Sequence, residues 1–198
     1  MKFSVEDGKI LIDLARKAIR NYFESRMKIS PPKNLPKKFY EKFGVFVTLE
    51  KNRELRGCIG FPFPTKSLIE GVIDSALDSA FADGRFPPLQ ESELKDISME
   101  VSILGEFELL KVNDSKEYLD KIEIGKHGLV VERGWFSGLL LPQVALDWNM
   151  EKEEFLSHTC LKAGLPSAAW KDLETKVHRF SALVFSEKEP NGEVIRKI

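Results

Sequence analysis

Cysteine is scarce in this chain: Cys58 and Cys160 are the only two in 198 residues, and they form no CxxC pair. That excludes a disulfide framework and points to a reducing cytoplasm. Histidine is nearly as rare. His127, His158 and His178 are dispersed, and with two distant thiols they give no zinc spacing, so no metal is expected. No apolar run approaches the ~20 residues of a membrane span. Met1-Lys2 leads into an amphipathic segment rather than a signal peptide, so no membrane partner is expected. The chain lacks the GxxxxGK(S/T), GxGxxG, GxSxG and HExxH patterns, which weakens nucleotide, Rossmann, hydrolase-elbow and metalloprotease readings. Ten prolines and 13 glycines follow no period, which excludes collagen-like and low-complexity chains.

What remains is a chain 42% apolar and 31% charged, with net charge −1. At this length roughly 70% of the unfolded surface can be buried, enough for a sizeable core without staples. One domain over residues 1–198, or two closely packed subdomains, fits that size. The near-zero net charge hides an asymmetry. Residues 1–60 hold 14 Lys+Arg against 7 Asp+Glu, whereas residues 61–160 hold 9 against 19. An anionic partner is one explanation; solvated charges on faces of a folded unit are the other. High charge with only two glutamines also leans toward a thermophilic source.

Periodicity sets out the elements. Ser4 and Asp7 look like a capping pair opening a helix to about residue 25, with an apolar stripe running from Ile10 to Phe23. Residues 27–42 carry Pro31, Pro32 and Pro36 among lysines and read as an extended basic connector. Residues 45–49 and 55–61 read as strands joined by a turn at 51–54. A helix over 67–81 follows, then a half-buried strand over 97–104 with Ser98, Glu100 and Ser102 on its polar side. Beyond it the pattern predicts a short helix at 115–119 and a hairpin over 122–131 around residues 125–128. Next come a strand at 139–141, a helix from Pro142 to Trp148, a helix over 151–163 capped by Asn149, and a late strand over 177–185. Strands and helices interleave irregularly, so the expected fold is α+β, with a mixed or antiparallel sheet and packed helices.

The most unusual segment is Leu55-Arg56-Gly57-Cys58-Ile59-Gly60. Two glycines inside a strand cost stability, so close backbone approach or a bulge is required there. Arg56, two positions from Cys58, would favour a thiolate with a pKa below the free-thiol ~8.5. The bland alternative is a small buried cysteine packed as a hydrophobe. This hexapeptide resembles the signature of the AMMECR family. Residues 81–89, 99–104, 124–129 and 141–145 are similar to the family's other blocks, in order, so the resemblance covers nearly the whole chain. Gly84 stands where proline is common in the family. The resemblance implies an α+β fold with a larger and a smaller subdomain, and it names neither reaction nor cofactor. It also implies a functional association with radical-SAM and Memo-like proteins, which some prokaryotic relatives accompany.

Within these blocks the candidate catalytic residues are Cys58, Glu100 and His127, and the candidate substrate-binding residues are Arg56, Gly57, Gly60, Asp83 and Arg85. Asp83 and Arg85 can pair with each other or orient an anionic group; the alternative is a turn-stabilising Asp and a surface Arg. Glu100 is either a general base or a solvent-facing strand residue. His127, at the tip of the expected hairpin, either meets Cys58 as a base or is exposed. His158, Cys160 and His178 read as structural, and the three tryptophans as packing anchors. The leading expectation is an enzyme, or enzyme subunit, with a polar cleft around the signature, acting on an unidentified small molecule. The alternatives are a protein-docking adaptor and a nucleic-acid module built on the basic N-terminal third. Sequence-specific nucleic-acid binding is not expected, because no base-reading set accompanies the lysines.

Overall fold

A computed structural model describes residues 2–198. In chain order the elements are α1 (Val5–Ser25), β1 (Gly44–Lys51), β2 (Glu54–Phe61), α2 (Leu68–Phe81), β3 (Ile97–Leu104) and β4 (Glu108–Leu109). They continue with α3 (Glu117–Lys121), β5 (His127–Arg133), β6 (Phe136–Leu140), α4 (Pro142–Asp147), α5 (Lys152–Lys162), β7 (Lys176–Glu187) and β8 (Val194–Arg196). The strand order is β2-β1-β3-β7-β5-β6, with β4 and β8 each paired to β7. The fold is α+β, as the irregular interleaving implied. The chain divides into two compact units: a larger one, through Leu104 and again over Leu183–Lys197, and a smaller one over Gly105–Ala182 with Ile198. β7 contributes its end to the first and its beginning to the second.

The larger unit forms because two helices and three antiparallel strands each present one apolar stripe. Ser4 caps α1 reciprocally with Asp7, its hydroxyl accepting from the Asp7 N–H at 3.3 Å while the Asp7 carboxylate accepts from the Ser4 N–H at 2.7 Å. Leu11, Ala15, Ala18 and Ile19 of α1 are fully buried against Ile69, Val72, Ile73 and Ala76 of α2 and Val45, Val47 and Leu49 of β1. β1 and β2 form the expected hairpin. Its two-residue turn puts Asn52 and Arg53 at φ 54° and 66°, as a primed turn demands. A buried ion pair ties the ends of the unit together. Arg16 of α1 donates to the Leu94 and Ile97 carbonyls and to Glu187 at 2.6 Å, and Glu187 also accepts the Met99 N–H.

Several expectations change here. The 27–42 connector is not extended throughout: it contains a 3₁₀ turn (Lys37–Tyr40) whose Phe39 is fully buried, and Ile29 and Leu35 pack on the core. Ile29, Leu35 and Phe39, spread among the prolines and lysines, tie the segment to the core. β3 is buried on both faces, not half-buried, with Glu100 at 5% and Ser102 at 0% exposure.

The smaller unit has its own core of Leu129, Val131, Phe155, Leu156, Trp170 and Val177. The expected hairpin around residues 125–128 does not form. Gly125, at φ 79°, closes a turn, His127 opens β5, and the hairpin is β5–β6 about Gly134 and Trp135. Asn149 is in the left-handed region at φ 49° and does not cap α5; Glu151 does, paired with Glu154. Trp170 packs as expected, but Trp135 and Trp148 are exposed.

Candidate functional site

The signature lies on β2, and its glycines are backbone devices. A Cβ on Gly57 would stand 2.1 Å from the Ser79 carbonyl of α2, and one on Gly60 would stand 2.2 Å from the Val45 carbonyl. Gly57 therefore lets α2 rest on the strand. Ser79 completes the seam: its hydroxyl donates to the Val47 carbonyl at 2.7 Å and accepts the Ile59 N–H at 2.8 Å. The register steps from Leu49↔Gly57 to Glu50↔Leu55, so Arg56 is an extra, bulged residue.

That bulge decides the fate of Arg56. Instead of alternating with Cys58, it forms a fork on Glu93, Nε donating at 3.3 Å and Nη2 at 3.0 Å, while Lys51 donates to the same carboxylate. These cations hold Glu93 down at about 2. The cation acting on Cys58 is Arg85, from the loop after α2. Asp83, only 5% exposed, accepts the Cys58 N–H at 2.9 Å and both Nε and Nη2 of Arg85, at 2.9 and 2.6 Å. Arg85 Nη2 in turn donates to the Cys58 carbonyl at 3.1 Å. At Cys58 the edge of β2 is thus satisfied by one ion pair, and the bonded Arg85 is the main reason that Asp83 is pulled down to about 2.

On the face away from α2, Cys58, Thr48 and Glu100 are aligned across β2, β1 and β3, since Thr48 is the register partner of both others. Thr48 Oγ1 donates to Cys58 Sγ at 3.3 Å, and Lys197 donates to Glu100 at 2.8 Å. Burial pushes the Cys58 thiol up, and the Glu100 charge adds to this, outweighing the Thr48 hydrogen bond and the Arg85 charge. This corrects the expectation of a depressed thiol: the resting group is a protonated thiol in a polar row. Glu100 is not a solvent-facing strand residue either.

Cys58, Arg56, Gly57, Gly60, Asp83, Arg85 and Glu100 all fall in the larger unit around β2. His127 belongs to the smaller unit and is not at a hairpin tip. Its Nδ1 accepts the Glu123 N–H at 3.1 Å, while burial together with Arg179 and Lys126 lowers its pKa, so the ring is neutral with its proton on Nε2. The sequence reading passed over Thr48, Ser79, Glu93 and Lys197. Thr48 had a signal, a polar residue alternating within an apolar strand; Glu93 and Lys197 are brought in by long-range folding and had none. Among the described residues no cluster of three or more His, Cys, Asp and Glu could hold a metal ion, and no helix is long and apolar enough to cross a membrane.

Fold and site together define an α+β protein with a thiol–hydroxyl–carboxylate row beside a glycine-bulged strand. The chain belongs to the AMMECR1 family, whose model matches residues 12–185. Protein PYRAB00100 of Pyrococcus abyssi is 47% identical over 99% of this chain and 98% of its own. Protein MK0488 of Methanopyrus kandleri is 50% identical over 98% of this chain and 94% of its own. The crystal structure of the uncharacterized protein PH0010 of Pyrococcus horikoshii matches at a TM-score of 0.95 and 45% identity, covering 99% of this chain and 98% of that one. These relatives come from thermophilic archaea, in line with the charge-rich composition.

Proposed function

We infer that this protein is an enzyme that uses the Cys58 thiol as a nucleophile toward an electrophilic carbonyl, with Glu100 as the proton acceptor. The observation that supports this most is the row Cys58–Thr48–Glu100: a thiol, a hydroxyl and a buried carboxylate on one sheet face. A thiol with a raised pKa is a poor nucleophile at rest and needs a base in place. In the reaction Thr48 Oγ1, which lies between them, takes the thiol proton as it passes its own to Glu100, and Sγ attacks the carbonyl carbon. The C–S bond forms, the bond to the leaving group breaks, and that group departs with the proton from Glu100. Water or a second acceptor then cleaves the thioester. Asp83 and Arg85 hold the Cys58 backbone at the strand edge so that Sγ keeps its aim. A reducing cytoplasm suits the chemistry, because both thiols are free.

The test is acylation of the full chain by a panel of activated esters and thioesters, read by intact mass and peptide mapping. Acylation at Cys58 is expected, with Glu100→Gln slowing it by about 100-fold, the lower end of general-base effects. No adduct at Cys58, or an unchanged rate in E100Q of native fold, overturns the reading.

A further inference from the structure

Two arginines, one in the signature strand and one in the loop after α2, are held in the same manner. Arg56 is fixed to Glu93 through Nε and Nη2, and Arg85 is fixed to Asp83 through Nε and Nη2. In both, Nη1 is left outside these bonds. Their guanidinium carbons lie 6.0 and 5.5 Å from the centre of the same ring, Phe86. Two forks are thus already oriented, one by each carboxylate, about one aromatic ring, and Arg85 also touches the Cys58 carbonyl. The Arg85 side chain is 48% exposed, so it can meet a ligand, while that of Arg56, at 12%, is largely covered. The charges leave a surplus: Arg85 balances Asp83, whereas Arg56 and Lys51 together face the single Glu93.

We propose that Arg85, backed by the charge of Arg56, forms an oxyanion-binding site beside Cys58, so that the substrate of this site is a small molecule carrying a carboxylate or phosphate group. Guanidinium groups fixed by carboxylates lose little freedom on binding, and Nη1 donates to an anionic oxygen with the strength of a charge-assisted bond. Phe86 packs against both guanidinium groups and helps hold them in place. The inference rests on Cys58 being the reacting group, and the test separates the two ideas.

Inorganic phosphate and acetate are titrated separately into the Cys58→Ser protein, following the Nε–H signals of Arg56 and Arg85 by 1H–15N spectroscopy. A saturable shift of the Arg85 signal is expected, with a smaller one at Arg56, and the tighter of the two anions gives the ligand class. Wild-type protein is then alkylated with iodoacetate and iodoacetamide. In either reaction Sγ displaces iodide, an S–C bond replaces C–I, and the thiol proton passes to solvent. The iodoacetate-to-iodoacetamide rate ratio at Cys58 should exceed that of a free cysteine derivative by about tenfold, equivalent to about 1.4 kcal/mol of anion capture. It should fall back in Arg85→Lys, which keeps the charge and loses the fork. Shifts that do not saturate, or a ratio equal to that of the free thiol, overturn the oxyanion site and leave the nucleophile reading standing. Saturable binding with Cys58 inert to both reagents keeps the oxyanion site and removes the nucleophile.

Discussion

Cys58 and Cys160 separate the effects of burial and of neighbourhood on the same functional group. Cys160 is fully buried in the core of the smaller unit, whereas Cys58 is partly exposed, and burial raises both thiols. Alkylation of the folded protein should therefore modify Cys58 first, with a rate that is still climbing above the free-thiol pKa of ~8.5. A Cys58 rate that levels off below neutral pH would contradict the burial argument. Asp83 and Glu93 behave in the opposite sense. Both carboxyls are held at about 2 when folded, against ~3.9 and ~4.3 in an unfolded chain. A depressed folded pKa stabilises above the unfolded value and is lost as pH falls through the folded one. Asp83 should then contribute about 2 kcal/mol at neutral pH, lost between about pH 4 and pH 2. Urea titrations of wild type and Asp83→Asn across that range should converge as the pH drops.

At the scale of the element, the hairpin shows where local chemistry and packing each rule. The primed turn needs positive φ at Asn52 and Arg53; asparagine tolerates it and arginine does not. Arg53→Gly should raise stability by about 0.5–1 kcal/mol, the relief of left-handed strain less the entropy of glycine. A lowered denaturation midpoint would show that the Arg53 side chain does more than occupy a turn. Gly57 is the reverse case. Its space is taken by the backbone of α2 at Ser79, which has no flexible end to give way. Gly57→Ala should cost about 1–3 kcal/mol through overpacking and disturb the Asp83–Cys58 edge as well. The check is loss of midpoint in guanidinium, with Ser79→Ala as a companion that removes hydrogen bonds without adding bulk.

For the whole molecule, the Arg16–Glu187 pair joins residues 171 positions apart in a buried setting. Burial raises the Glu187 carboxyl despite the cation beside it. Removing one partner strands the other: Arg16→Met should cost about 3–5 kcal/mol, most of it an uncompensated buried carboxylate. Acidification should return part of that loss, because protonating Glu187 removes the stranded charge; a loss independent of pH would contradict this origin. Each unit also has its own apolar core, so substitutions such as Ile73→Ala and Phe155→Ala act through separate packing clusters.

The periodic elements were legible in the chain before folding was considered. α1 with its Ser4–Asp7 cap, the β1–β2 hairpin, α2, β3 and the late strand follow from apolar spacing and local hydrogen bonding, which act over a few residues. The Gly57 close approach was legible too, since glycine in a strand has few other uses. Tertiary structure alone decided the rest. The β5–β6 hairpin lies one turn later than Gly125–Gly128 implied, because pairing with β7 and the cover of α5 outweigh a glycine pair. A single bulge took Arg56 out of alternation with Cys58 and put it on Glu93, leaving Arg85, twenty-nine positions on in the chain, as the cation acting on the thiol. Thr48 and Lys197 reached Cys58 and Glu100 only through strand register and the return of the C-terminal segment. Spacing along a chain fixes which face a side chain takes. Which distant groups share that face, and whether burial or charge then governs a pKa, is settled only when the strands pair.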